Sequence, residues 1–283
     1  MSGLAFSTLI SSSSGNCTVV GSPGGAVVFD AGFSSQRRFR DALNYIRENF
    51  GPVRGVVISH AHRDHVNYHS LRVMSSMAVP LFLSIETADR IARSEKCAKA
   101  LSDCHVELFE DIPFKVSDLS VESFPVEHTP KAPNRGFVIG GEGVKIGFAT
   151  DLKHARGLAP RLADCDMLYL ESNHDSGLLR LHPNPNSWNH LKNEKASDFV
   201  TGLVASGSGP RMVMFGHLST ERNTPEHVRR EYEKRMHGRE NAPQMQIAPP
   251  FSPSMIVNVG RTAGSDVISP PATESLFGST PSK

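Results

Sequence analysis

The stretch Val56-Val57-Ile58-Ser59-His60-Ala61-His62-Arg63-Asp64-His65 decides how this chain is read. Three β-branched apolar residues in succession describe a buried strand, and a strand that stops in a histidine cluster delivers those side chains to the rim of a sheet. Neutral imidazoles and carboxylates are the ligands of zinc and similar first-row metals. His60 and His62 stand two apart, so in an extended segment they project the same way and can grip one ion. Asp64 and His65 lie on the following turn and can reach a second. For any single one of the 13 histidines a solvated or hydrogen-bonded loop residue is the ordinary reading. Four ligand-type residues in one short motif reverse it, because such a group without a cation costs desolvation and, once the imidazoles charge, repulsion.

The same pattern recurs downstream. Apolar strands are expected at 145–149, 167–170 and 212–215, and they terminate in Thr150-Asp151, Glu171-Ser172-Asn173-His174-Asp175 and Gly216-His217. Val126-Glu127-His128 ends in a histidine as well. Several strands that each stop in an acid or a histidine are what a sheet carrying its site on loops at one edge produces. Further strands are expected at 4–10, 17–20, 26–30 and 80–83, with an edge strand at 255–259. Residues 11–16, Ser-Ser-Ser-Ser-Gly-Asn, read as a flexible polar loop. Phe39, Leu43, Ile46 and Phe50 at three- and four-residue spacing make 36–50 an amphipathic helix. Helices follow at 85–101 and 225–235, and 106–139 reads as short strands and turns. Helices after several strands point to a layered α/β domain spanning 1–260. From about residue 261 to 283 the chain has too few apolar residues to pack and reads as a disordered tail.

Composition bounds the rest. The 283 residues are 39% apolar and 21% charged with a net charge of +1, which excludes strongly basic nucleic-acid binders and disordered chains but leaves room for a local phosphate-binding patch. Cys17, Cys97, Cys104 and Cys165 form no CxxC pair, so neither a thiolate zinc knuckle nor a disulfide framework is suggested. There is no signal-like amino terminus and no apolar run of the roughly 18 residues that a bilayer demands, so a reducing cytoplasm and no membrane are expected.

Together, HxHxDH at 60–65, His128, Asp151 and His217 after strands, and Asp30 in Val28-Phe29-Asp30-Ala31-Gly32 resemble the metallo-β-lactamase superfamily. Ser12-Ser13-Ser14-Gly15-Asn16-Cys17, Thr150-Asp151-Leu152, Glu171 to Asp175, and Gly216-His217-Leu218-Ser219 are similar to its YycJ/WalJ-type branch, over about 5–235. The resemblance implies a four-layer αββα sandwich with a binuclear site for two divalent metal ions, zinc or manganese. His60, His62 and His128 would hold one ion and Asp64, His65 and His217 the other, with Asp151 bridging both and Asp30 supporting the loop. It implies a phosphodiesterase acting on nucleic acid, with 5′-to-3′ DNA exonuclease activity, in which metal coordination lowers the pKa of a bound water to about 7 and a metal-bridging hydroxide attacks phosphorus. One departure stands out: Trp188-Asn189-His190-Leu191-Lys192 runs quickly into 193–199, and a stretch 178–187 bearing Pro183 and Pro185 replaces the usual groove segment.

Each of these residues has a plainer role on its own: a turn histidine before Pro130 for His128, a helix cap before 152–162 for Asp151, a core histidine for His217. Their order after strands favours the ligand set. Besides Asp64, His174 and Asn173 are the catalytic candidates, the first to protonate the leaving group and the second to orient it. Gly15, Asn16, His190 and Lys192 are candidate substrate contacts. Arg37, Arg38 and Arg40, with Arg229, Arg230, Lys234 and Arg235, could track a nucleic-acid backbone, though helical charge runs are ordinarily solvated faces. The rivals are hydrolysis of a small phosphodiester, thioester or lactone at the same centre, and a metal-stabilised binding protein without turnover.

Overall fold

A computed structural model describes residues 3–129, 132–260 and 267–268. In chain order the strands are β1 (Leu4–Ser12), β2 (Gly15–Ser22), β3 (Gly25–Phe29), β4 (Val53–Val57), β5 (Leu81–Ser84) and β6 (Val106–Phe109), then β7 (Phe114–Val116), β8 (Leu119–Thr129), β9 (Ala132–Gly141), β10 (Val144–Ala149), β11 (Met167–Glu171), β12 (Met212–Gly216) and β13 (Gln244–Ile247), and finally β14 (Ile256–Val259) and β15 (Val267–Ile268). One sheet has the order β15-β14-β1-β2-β3-β4-β5-β6 and the other β13-β12-β11-β10-β9-β8-β7. Helices α1 (Gln36–Phe50), α2 (Tyr68–Ser76), α3 (Ile85–Ala92) and α4 (Glu95–Ser102) belong to the first half of the chain. In the second half are α5 (Ala159–Leu162), α6 (Ser176–Leu181), α7 (Asn193–Ala205) and α8 (Pro225–Met236).

Three separate cores define four layers. Phe6, Phe29 and Val57 of the first sheet meet Phe137, Phe148 and Tyr169 of the second between the sheets. Val28, Val56 and Leu83 face Phe39, Leu43, Ile46 and Leu71 of α1 and α2. Leu168, Leu170 and Phe215 face Val200 of α7 and Tyr232 of α8. The strands alternate strictly between these cores: Val27 and Phe29 point inward and Ala26 and Val28 outward, as do Met167 and Tyr169 against Leu168 and Leu170. Because both faces are buried, the residues are apolar throughout, which is why the sequence shows runs rather than a polar alternation.

Strand direction positions the site. β3, β4 and β5 are parallel in one sheet, and β10, β11 and β12 are parallel in the other. Each set therefore places its carboxyl ends on one edge, where parallel sheets commonly bind ligands. β8 pairs antiparallel with β9 and β9 with β10, so β8 also ends on that edge with His128.

Several local expectations are corrected. Residues 11–16 form a tight hairpin with only Ser13 and Ser14 between β1 and β2, and Ser11, Ser12 and Asn16 are buried. The helix expected at 85–101 is two helices, α3 and α4. On one straight helix Ile91 and Ala100 would stand about 180° apart at about 100° per residue, and both are buried in the same core. The break at Arg93 and Ser94 turns both inward. Over 106–139 the short strands expected are β6 and β7, while the rest is a long hairpin of β8 and β9, 11 and 10 residues. Helix α7 and strand β13 went unforeseen. The disordered tail expected at 261–283 lies outside the described residues except for Val267 and Ile268, which pair with Val257 and Ile256 in β15. Among the described residues no helix is long and apolar enough to cross a membrane.

Candidate metal centre

The seven residues singled out as ligands converge at the edge where both sheets end. His60 Nε2 lies 2.9 Å from His62 Nδ1, which lies 3.3 Å from His128 Nε2. The edge of a tetrahedron around zinc, with zinc–nitrogen bonds of about 2.0–2.1 Å, is about 3.3 Å. Nearby, His65 Nε2 and His217 Nε2 stand 3.4 and 3.8 Å from Asp64 Oδ2. Asp151 lies between the groups: Oδ1 is 3.5 Å from His128 Nε2, while Oδ2 is 2.9 Å from His65 Nε2 and 3.4 Å from His217 Nε2. With the helix at 159–162 and not at 152, Asp151 caps nothing.

Chain geometry aims these side chains. Asp30, Asp151 and His217 follow the ends of β3, β10 and β12 and have φ of 64°, 55° and 54°. Aspartate and histidine are among the few non-glycine residues that enter this left-handed region, at on the order of 1 kcal/mol or more each. Three such residues around one centre turn their strands' last side chains onto the rim.

For His60, His65, His128 and His217 the ring nitrogen that faces away from the centre has a partner. Asp30 Oδ2 lies 2.8 Å from His65 Nδ1, and its Oδ1 accepts from the Ser59 amide at 2.8 Å and hydroxyl at 2.9 Å. His128 Nδ1 is 3.0 Å from the Asn189 carbonyl, and His60 Nδ1 is 3.1 Å from Ser59 Oγ. Glu171, at the end of β11, holds a place in the centre that its position in the sequence does not reveal. Its Oε1 sits 2.8 Å from both His217 Nδ1 and His190 Nδ1, and its Oε2 accepts from the amides of Leu152 (2.9 Å) and Leu191 (3.0 Å). A carboxylate behind a ligating imidazole fixes the tautomer and raises ligand basicity. The clue available in the sequence was a strand ending in an acid, as in β10.

Electrostatics fit a cation. Burial holds the His60 imidazole well below its ordinary value, with His65 reinforcing it, and burial likewise lowers His62 and His128, so these three offer neutral lone pairs. At Asp151 burial opposes ionisation, but His217 and His65 outweigh it and hold the carboxyl well below the usual range. Burial would lower His217, yet Asp151 and its other carboxylate neighbours lift it to about 10. Asp151 Oδ2 and His217 Nε2 are buried, and their polar neighbours are other ring nitrogens and carboxylate oxygens of the same cluster. Buried carboxylate oxygens and imidazole nitrogens that face one another in this way are a donor set suited to a divalent ion.

A cavity of about 740 Å³ opens over the centre, with His62, Asp64, His128, Asp151, Asn173, His190 and His217 among its lining. The other expected site residues lie elsewhere. His174 is buried with Nδ1 3.4 Å from Asn173 Oδ1 and does not line the cavity. Gly15 presses against the Gly32 carbonyl, and Asn16 Nδ2 sits 3.0 Å from His65 Nε2 and 3.3 Å from Asp64 Oδ2, beneath the centre rather than in the cavity. Lys192 bridges the His174 backbone at the start of α7. His190, expected as an outer contact, belongs to the centre itself.

This architecture, two sheets between helices with a histidine and carboxylate cluster at their shared edge, is that of a metal-dependent hydrolase. The family described as the beta-lactamase superfamily domain matches residues 26–217, and the chain belongs to it. The chain is 25% identical over 244 residues to the exodeoxyribonuclease WalJ of Streptococcus pneumoniae, covering 79% of this chain and 85% of that protein. It is 26% identical over 247 residues to the exodeoxyribonuclease YycJ of Bacillus anthracis, covering 80% and 87%. Among solved structures, the metallo-beta-lactamase fold protein YhfI of Bacillus subtilis superposes with a TM-score of 0.66 at 14% identity, covering 89% of this chain and 99% of that one.

Proposed function

We propose that the chain is a binuclear metal-dependent phosphodiesterase acting on nucleic acid, with 5′-to-3′ exonuclease action on DNA. The observation that carries this reading is Asp151, whose Oδ1 faces the His60, His62 and His128 group while Oδ2 faces His65 and His217. Such a carboxylate suits two divalent cations, zinc or manganese, the second held by Asp64, His65 and His217. Bound there, the cations would supply an activated water near neutral pH and offset the charge that builds on a transferring phosphoryl group. The names of the two relatives support a nucleic-acid substrate.

The chain's own residues supply orientation and the proton. Glu171 and Asp30 hold His217 and His65 with Nε2 towards the centre. His190 lines the cavity, and with Nδ1 bonded to Glu171 its Nε2 is the remaining proton-bearing nitrogen. Burial would lower the His190 imidazole, but the Glu171 carboxylate outweighs it and raises it, which keeps a proton available for the leaving oxygen. That role, expected of His174, passes to His190. Asn173 Nδ2 donates to the His217 carbonyl at 2.9 Å and holds that turn in place. Residues 1–260 form the hydrolase domain of a protein working in a reducing cytoplasm.

The test is metal analysis of the purified chain with turnover of single-stranded DNA, bis-p-nitrophenyl phosphate and a thioester in manganese and in zinc. Diester cleavage that depends on metal is expected. Rapid thioester cleavage without phosphodiester turnover would favour the small-molecule alternative and overturn this reading.

A further inference from the structure

The chain contains one tryptophan, Trp188, and it is 77% exposed. Exposure alone says little, since single apolar side chains on a surface are common. Its position says more. Trp188 lies in a 3-10 turn, Pro185–Asn189, in which Ser187 and Asn189 on either side of it line the cavity over the metal centre while the indole itself stands outside that lining, exposed beside it. That turn is held at its carboxyl end, and the chain that leads into it is held as well. The Asn189 carbonyl holds His128 Nδ1 at 3.0 Å, and Arg222 Nε donates to the His182 carbonyl at 2.6 Å. Asn184 further braces it by accepting from the Asn186 amide at 3.0 Å. An indole on a braced turn, one residue from a group bonded to the centre, offers a flat apolar surface beside the cavity. Arg90 lines the same cavity and offers a guanidinium group to a neighbouring phosphate.

We infer that Trp188 stacks an unpaired nucleobase of a single-stranded substrate whose scissile phosphate lies at the centre. The inference rests on the phosphodiesterase reading and deepens it to a substrate class. Bases within a duplex are already stacked on both faces, whereas a single strand leaves each face open to an aromatic side chain. Stacking of this kind tolerates any base, because every base has a π-face. Stacking on an aromatic face does not depend on the pattern of donors and acceptors along a base edge, so little sequence preference is expected.

Because Trp188 is the sole tryptophan, the intrinsic emission of the intact protein reports on it directly. Titration of the metal-loaded chain with a short phosphorothioate oligothymidylate, which resists consumption, should quench that emission saturably. Trp188→Ala should raise KM for the ordinary oligothymidylate by about 5- to 150-fold, the loss falling in KM rather than kcat, and Trp188→Phe should restore most of it. Unchanged emission at saturation, or an alanine variant with wild-type KM on single strands, would overturn the inference. Methyl p-nitrophenyl phosphate, a diester without a base, separates the two levels. Wild-type turnover of that diester with no quenching by the oligonucleotide refutes the stacking role alone, whereas no phosphodiester turnover of any kind refutes the underlying activity and the stacking role with it.

Discussion

Replacing Glu171 with glutamine tests whether the carboxylate behind the centre is structural or sets the state of the ligands. Glu171 is fully buried and all its interactions are with N–H groups or ring nitrogens: Leu152 and Leu191 amides on Oε2, His190 and His217 on Oε1. Burial alone would raise its pKa, but His190 and His217 hold it down at about 2, so the ionised acceptor is the working form. An amide has one acceptor oxygen and must turn its NH2 one way or the other. Turned towards Leu152 and Leu191 it leaves two buried backbone donors unpaired, at ~1–3 kcal/mol each and so about 2–6 kcal/mol together. Turned towards the imidazoles it forces Nδ1 of His217 to accept, moving the proton to Nε2, the nitrogen a cation needs. Loss of such a supporting partner costs about 10- to 100-fold in metal affinity, or about 1.4–2.8 kcal/mol. The smaller penalty wins, so Glu171→Gln should fold with a near-wild-type denaturation midpoint and bind metal about 10- to 100-fold more weakly. Competition against a chromogenic chelator, beside urea unfolding of the same samples, reads both quantities. Wild-type metal affinity together with a loss of several kcal/mol in stability would refute the reasoning, because Glu171 would then serve the backbone and not the histidines.

Three further outcomes follow from the same geometry. Gly32→Ala should distort the ligand loop, because a methyl there would lie 1.7 Å from the Asp64 carbonyl oxygen, a backbone atom that cannot swing aside; metal content of the folded fraction would fall, and a variant with full metal content would show the loop to be more pliable than its packing implies. His190→Gln should retain metal and lower kcat by about 10²- to 10⁴-fold on substrates with poor leaving groups, with little loss on p-nitrophenyl esters that need no protonation, and equal losses on both would remove His190 from the proton-delivery role. Metal binding at Asp64, His65 and His217 should release protons: His217 is lifted to about 10, so an incoming cation displaces its proton across the neutral range and apparent affinity rises with pH up to about 10. Calorimetry in buffers of different ionisation enthalpy measures that release, and a heat independent of buffer would contradict it.

What the sequence determined by itself was a cluster of ligand-type side chains and its approximate address. The 60–65 cluster, His128, Asp151 and His217 declare themselves because each ligand type stands just past an apolar strand, and a strand's end is a local property of the chain. Helix α1 was equally legible, since its buried Phe39, Leu43, Ile46 and Phe50 repeat at the helical period and Ser35 caps its start. Tertiary structure alone decided roles that depend on distant partners. Glu171 and Asp151 are both acids at strand ends, and only the parallel pairing of β10, β11 and β12 shows that Asp151 faces the imidazoles across the centre while Glu171 stands behind two of them and takes two backbone amides. His174 and His190 could not be ranked from sequence, because which ring enters the cavity is set by the turn after β11 and by the loop pinned to His128. Ser11 to Asn16 looks mobile by composition, yet it is a buried hairpin: Ser11 Oγ accepts from the His217 amide at 2.7 Å and lies 2.7 Å from Tyr169 Oη, partners 206 and 158 residues away. Short-range pattern reports the period of burial and the kind of side chain; the identity of the neighbour that satisfies each polar atom exists only once the two sheets have closed on one another.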